Sequence, residues 1–96
     1  MAKQGFNTRC VHGTSRNDAR WRKSRPVSTP IFQTSTFAFE NADHGAAIFA
    51  GENDGFLYTR LGNPTQEALE DRMAAIEGGE AGLALASGMA AATTAV

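Results

Sequence analysis

The chain has 96 residues, of which 42% are hydrophobic and 20% charged, and its formal net charge is -1. That length allows one small domain at most, and the balance of apolar and charged residues excludes an intrinsically disordered chain. A single cysteine, Cys10, excludes an internal disulfide framework and an all-cysteine zinc site, and the longest weakly polar run, Ala81 to Val96, is too short and small-sided to span a membrane.

Residues 1 to 30 lack apolar periodicity and contain Pro26 and Pro30, which predicts an extended arm with short turns. Ile31 to Phe39 is rich in β-branched and aromatic residues and reads as a short strand or an extended packed segment. Asn41 to Phe49 reads as a short helix with Asn41 or Asp43 as its cap. Asn53-Asp54-Gly55 is a turn signal. The strongest local signal starts at Asn63, a capping residue followed by Pro64 at the first helical position and Gln66 where a capping box places Glu or Gln. Leu69, Met73 and Ile76 follow as one apolar stripe, and Gly78-Gly79 ends the helix. Ala81 to Ala86 is a short apolar run that suits a strand buried on both faces, as in a parallel sheet. Ser87-Gly88 turns the chain, and a helix of small residues runs from Met89 to Val96.

A helix, strand, tight turn and helix in that order predict an α/β fold. The strand finds no convincing parallel partner, and the last helix has no polar final turn, so the expectation is a chain truncated at its C-terminus. The composition points the same way. Glycine and alanine are abundant and large apolar side chains sparse. A chain of this size buries only about 60% of its unfolded surface and so needs a dense core. This one reads as part of something larger, or as a chain that needs partners.

Charge is unevenly spread. Through Phe39 there are seven basic residues (Lys3, Arg9, Arg16, Arg20, Arg22, Lys23 and Arg25) against Asp18, whereas nine acids face two arginines from Glu40 onward. Such an arm fits nucleic-acid binding, a cleavable targeting peptide, or packing on the acidic surface of a neighbouring subunit. It holds too few Leu or Ile for an amphipathic targeting helix, and the acidic half repels a nucleic acid. Packing on a neighbour is therefore the preferred reading, with no nucleic-acid partner, no membrane and a cytoplasmic location.

Two places carry candidate chemistry. Ser87-Gly88-Met89 lies between a predicted strand and a helix start, where unsatisfied N–H groups and the positive end of the helix dipole favour an anion such as phosphate. Tyr58-Thr59-Arg60 offers a planar guanidinium and a phenolic hydroxyl, which share a face if the segment is extended. Taken singly, each has a plainer reading as a small-residue turn and as a packed tyrosine beside a surface arginine. Cys10 and His12 make a poor metal pair, His44 is an exposed or capping residue, and Glu70 and Asp71 are adjacent on a helix and do not face each other.

Residues 57 to 92, LYTRLGNPTQEALEDRMAAIEGGEAGLALASGMAAA, resemble the N-terminal region of the Cys/Met-metabolism family of pyridoxal-phosphate (PLP) enzymes. So do TRCVHG at 8 to 13, PVSTPIFQTSTFAF at 26 to 39 and FAGENDGFLYTR at 49 to 60. The pattern is most similar to the methionine γ-lyases, with the O-acetylhomoserine sulfhydrylases next, and its start near Thr8 argues against a transit peptide. The resemblance implies an arm over residues 1–62 that contacts the neighbouring subunit. Residues 63–96 would then be the first helix-strand-helix of a fold-type I transferase large domain. It implies that Tyr58 and Arg60, with Thr59 between them, reach the cofactor phosphate of the neighbouring subunit, and that Tyr58 assists proton transfer or leaving-group departure. It also implies that Gly88 and Met89 offer backbone N–H groups to the phosphate in their own subunit.

The implied protein is a homo-oligomer, a dimer of dimers with shared active sites, acting on a sulfur amino acid or an O-acyl-homoserine. The family's cofactor-bonding lysine, its aspartate at the pyridine nitrogen, its ring-stacking aromatic and its carboxylate-binding arginine all lie downstream of Val96. Lys3 and Lys23 are the only lysines and match none of these. The 96 residues alone are therefore expected to be inactive. The alternative is a non-enzymatic docking module that lends Tyr58 and Arg60 to a full-length relative.

Overall fold

Side chains of Asn41, Asn63 and Ser87 set three helix starts in this chain by satisfying backbone N–H groups left without partners there. The computed structural model describes residues 4–12 and 27–96. Among them are four helices, α1 (Phe6–His12), α2 (Ala42–Phe49), α3 (Pro64–Glu77) and α4 (Gly88–Ala95). The described residues group into two units, 27–67 and 4–12 with 68–96, so α3 contributes to both. Pro26 and the basic run from Arg16 to Arg25 lie outside the described residues.

In the unit of residues 27–67, Asn41 is the cap of α2, and its side chain accepts from the His44 N–H at 2.9 Å. His44 Nδ1 in turn accepts from the Glu40 N–H at 3.1 Å, so the two side chains close the first turn from both sides. Asp43 falls inside that turn, where a carboxylate favours the helix dipole. Phe39 lies over Gly45, the buried residue of α2, where an added Cβ would stand 2.9 Å from the ring and displace it. The predicted turn forms with Asn53 Oδ1 accepting from the Gly55 N–H at 3.0 Å.

Ile31 to Phe39 forms no regular strand, and only Phe32 and Phe37 within it are partly buried. Among the described residues its strand pairing is one antiparallel bridge, Thr36 opposite Tyr58. The bridge is closed by Phe37 N–H to the Leu57 carbonyl and Thr59 N–H to the Ser35 carbonyl, both 2.9 Å. The Phe37 and Phe56 rings meet beside it with centroids 5.6 Å apart.

The other unit departs from expectation in three places. Residues 6 to 12 form a helix where an extended arm is predicted. Seven residues are too few to hold a helix by propensity. Here the Arg9 guanidinium donates to the Ala75 carbonyl in the last turn of α3, a turn that has no basic residue of its own. Secondly, the stripe on α3 is not its most covered face. Of its three residues Leu69 and Met73 are about half exposed and only Ile76 is partly buried, as are Glu70, Ala74 and Ala75. The reason is the return of the chain. Gly78 takes a left-handed φ of 68°, and Gly79 donates to the Ala74 carbonyl at 2.8 Å, which turns the chain back onto α3.

The third departure is the segment 81–86, extended as predicted but in no ladder among the described residues. Its faces alternate. Gly82 and Ala84 are partly buried, and the Ala84 N–H donates to Glu70 Oε1 at 2.9 Å. Leu83 and Leu85 on the other face are 65% and 41% exposed. Across the described residues no large hydrophobic side chain is buried, in keeping with the sparse apolar composition. No helix of the described residues is long and apolar enough to cross a membrane.

A Cβ on Gly82 would stand 2.5 Å from the Glu70 carbonyl oxygen, a backbone atom that cannot swing aside. Gly82→Ala is expected to lift the segment from α3 at a cost of about 1–3 kcal/mol. Gly5→Ala, where a Cβ meets nothing within 4 Å, serves as the steric control. Denaturant unfolding of the two variants side by side checks this.

Candidate functional site

Tyr58 closes the antiparallel bridge, and the chain turns immediately after it. The Leu61 and Gly62 N–H groups both donate to the Tyr58 carbonyl, at 2.9 and 3.1 Å. Arg60 therefore sits in a turn, and the shared-face argument for an extended segment does not apply to it. The two side chains meet for another reason. The guanidinium carbon of Arg60 lies 5.3 Å from the centroid of the Tyr58 ring, a cation–π distance.

Both side chains are exposed. With Phe32, Gln33, Thr34 and Ser35 they line an open depression of about 570 Å³. Among the described residues no carboxylate pairs with Arg60. The arrangement offers a planar cation and a phenol on one open face, a donor set suited to phosphate oxygens.

Thr59, between them, faces the fold. Its hydroxyl donates to the Thr34 carbonyl and accepts from Asn63 Nδ2 at 3.1 Å, and its N–H is used by the bridge. Asn63 is 4% exposed. Its Oδ1 accepts from the Thr65 N–H at 2.9 Å, which is the predicted cap of α3. Its Nδ2 donates to the Phe32 carbonyl at 2.9 Å as well as to Thr59. The Thr65 hydroxyl completes the cluster, donating to the Pro30 carbonyl at 3.0 Å and accepting from the Phe32 N–H at 2.9 Å.

The sequence pattern marks Asn63 only as a cap. The available signal was its side-chain amide, since capping uses the oxygen and leaves two donors that a buried position must satisfy.

The second candidate lies in the other unit. Ser87 caps α4 with φ -153° and ψ 160°, and its hydroxyl oxygen accepts from the Ala90 N–H at 3.1 Å. The first intrahelical bond runs from the Ala91 N–H to the Ser87 carbonyl. Gly88 and Met89 are thus the first-turn amides that neither the cap nor the helix ladder engages. Both residues are exposed, Met89 at 77%. Cys10 is a free, partly buried thiol on α1. Among the described residues, no three His, Cys, Asp or Glu are grouped so as to hold a metal ion.

Residues 7–96 match the model of the family described as Cys/Met metabolism PLP-dependent enzyme. The chain belongs to this family. Within it, the chain is 50% identical over 91 residues to an L-methionine gamma-lyase of Pseudomonas putida, an alignment that covers 94% of this chain and 22% of that protein. It is 44% identical over 92 residues to an O-acetyl-L-homoserine sulfhydrylase of Corynebacterium glutamicum, covering 96% and 20%. Among solved structures it is similar to a Campylobacter jejuni protein described as an O-acetylhomoserine (thiol)-lyase, which carries a pyridoxyl-lysine monophosphate. The TM-score there is 0.81 at 39% identity, covering 97% of this chain and 22% of that one. The chain thus spans about a fifth of the length of the Cys/Met-metabolism relatives it matches.

Ser87→Ala removes the α4 cap and is expected to cost about 1 kcal/mol. Hydrogen exchange checks it, with protection lost first at the Ala90 amide.

Proposed function

We propose that the full-length protein is a PLP-dependent carbon–sulfur lyase or sulfhydrylase. Its substrate would be methionine, a related sulfur amino acid or an O-acyl-homoserine, transformed by γ-elimination or γ-replacement. The observation that carries this reading is the exposed Tyr58–Arg60 pair, without a carboxylate partner among the described residues, in a chain of a PLP-dependent family. Arg60 presents its planar fork, and Tyr58 its hydroxyl, to the cofactor phosphate of the neighbouring subunit. Thr59 joins them as the anchor of the turn. The Gly88 and Met89 N–H groups bind the phosphate in their own subunit, where the helix dipole adds to the attraction.

When bound, PLP supplies the electron sink for bond breaking next to the amino group. The phenolic Oη of Tyr58 holds or gives up a proton beside the leaving group. In this reading the arm of residues 1–62 lies against the neighbouring subunit, and residues 63–96 open the fold-type I cofactor domain. The protein works as a cytoplasmic homo-oligomer with active sites shared between subunits. The 96 residues alone are inactive, since neither Lys3 nor Lys23 takes the place of the cofactor-bonding lysine. Methionine and O-acetylhomoserine as alternative substrates separate the lyase from the sulfhydrylase.

The test is a cofactor titration of the full-length protein. Arg60→Ala removes charge-assisted hydrogen bonds of about 1.5–3 kcal/mol, so its affinity for PLP is expected to fall about ten- to a hundredfold. Tyr58→Phe, which loses one neutral donor, should show a smaller drop. A full-length protein that does not bind PLP would overturn the enzyme reading and leave a module that docks on a full-length relative.

A further inference from the structure

We infer that Asn63 is a positioning residue for phosphate binding, setting the place of the Tyr58–Arg60 turn through its side-chain amide. This rests on the proposed role of Tyr58 and Arg60 in gripping the cofactor phosphate. The argument starts from what a cap needs. Oδ1 accepting from the Thr65 N–H is sufficient for α3, and an aspartate would cap equally well. Asn63 nevertheless sits at 4% exposure with Nδ2 bonded to two acceptors on two other stretches of chain.

One acceptor is the Phe32 carbonyl, in the segment that floors the depression beside Tyr58 and Arg60. The other is the Thr59 hydroxyl, on the residue between those two side chains. That hydroxyl in turn donates a hydrogen bond to the Thr34 carbonyl, so one amide and one hydroxyl tie the floor of the depression to its binding residues. The Thr59 backbone is also held, by its N–H on the Ser35 carbonyl in the bridge, but its side chain is placed by Asn63 and the Thr34 carbonyl. The turn's own hydrogen bonds end on the Tyr58 carbonyl, and Arg60 is exposed. A phosphate ligand needs the guanidinium fork and the phenol at a fixed separation, and the amide of Asn63 is the buried group that fixes the residue joining them.

Asn63→Asp separates positioning from capping. The aspartate keeps the acceptor for the Thr65 N–H and loses both donations. The readout is the affinity of the full-length protein for PLP relative to pyridoxal, the same ring without the phosphate. A general weakening of the fold lowers both affinities; misplacement of the phosphate grip lowers only the first. Asn63→Asp is expected to reduce the preference for PLP about tenfold with pyridoxal affinity unchanged. Thr59→Val should do the same, and Thr59→Ser, which restores the hydroxyl, should recover it.

An unchanged preference in Asn63→Asp, or an equal loss for both ligands, overturns the inference. If Asn63→Asp does not fold, Thr59→Val against Thr59→Ser decides it by the same measure. Arg60→Ala is run alongside. Should that variant keep the full preference for PLP, the phosphate role of the turn itself has failed. Should it lose the preference while Asn63→Asp keeps it, only the positioning role has failed.

Discussion

A buried carboxamide holds the unit of residues 27–67 together. Asn63 is the buried polar residue of the described chain, followed directly by the fully buried Pro64. Its oxygen starts α3, one amide donation holds the Phe32 carbonyl, and the other reaches the hydroxyl of Thr59. Where no large hydrophobic side chain of the described residues is buried, such a network sets chain positions that packing would otherwise set. The asymmetry of buried hydrogen bonds gives it force. A satisfied bond contributes modestly, whereas stranding a buried donor or acceptor costs about 1–3 kcal/mol. Pro64 adds to the order by fixing its own φ and by lacking the N–H that a first helical residue would leave without a partner.

The two proposed phosphate contacts differ in physical kind. At Gly88 and Met89 the donors are backbone amides whose direction is set by the helix itself, so the identity of the side chain matters little. At Tyr58 and Arg60 the donors are side chains on an exposed turn. Their directions depend on ring–guanidinium stacking and on whatever holds the turn beneath them. A backbone site is rigid once its helix forms; a side-chain site needs a buried support.

Local signals were the legible part of the sequence. Asn41, Asn63 and Ser87 cap the helices that follow them, and Gly78 takes the left-handed φ that ends α3. Each of these depends on residues within a few positions along the chain. What was not legible depends on partners far away in sequence. The helix at 6–12 depends on Arg9 reaching Ala75, 66 residues on. The covered face of α3 is set by the return of Gly82 and Ala84, not by the spacing of Leu69 and Met73. The family pattern drew attention to Tyr58 and Arg60, but not to the turn that brings them together or to the amide of Asn63 beneath them.

The cap of α2 fixes which nitrogen of His44 bears hydrogen. The backbone N–H of Glu40 can only donate, so the Nδ1 it faces must present a lone pair. The neutral ring is therefore the Nε2–H tautomer. The pair of bonds that closes the first turn of α2 thus selects one of the two neutral tautomers of the ring.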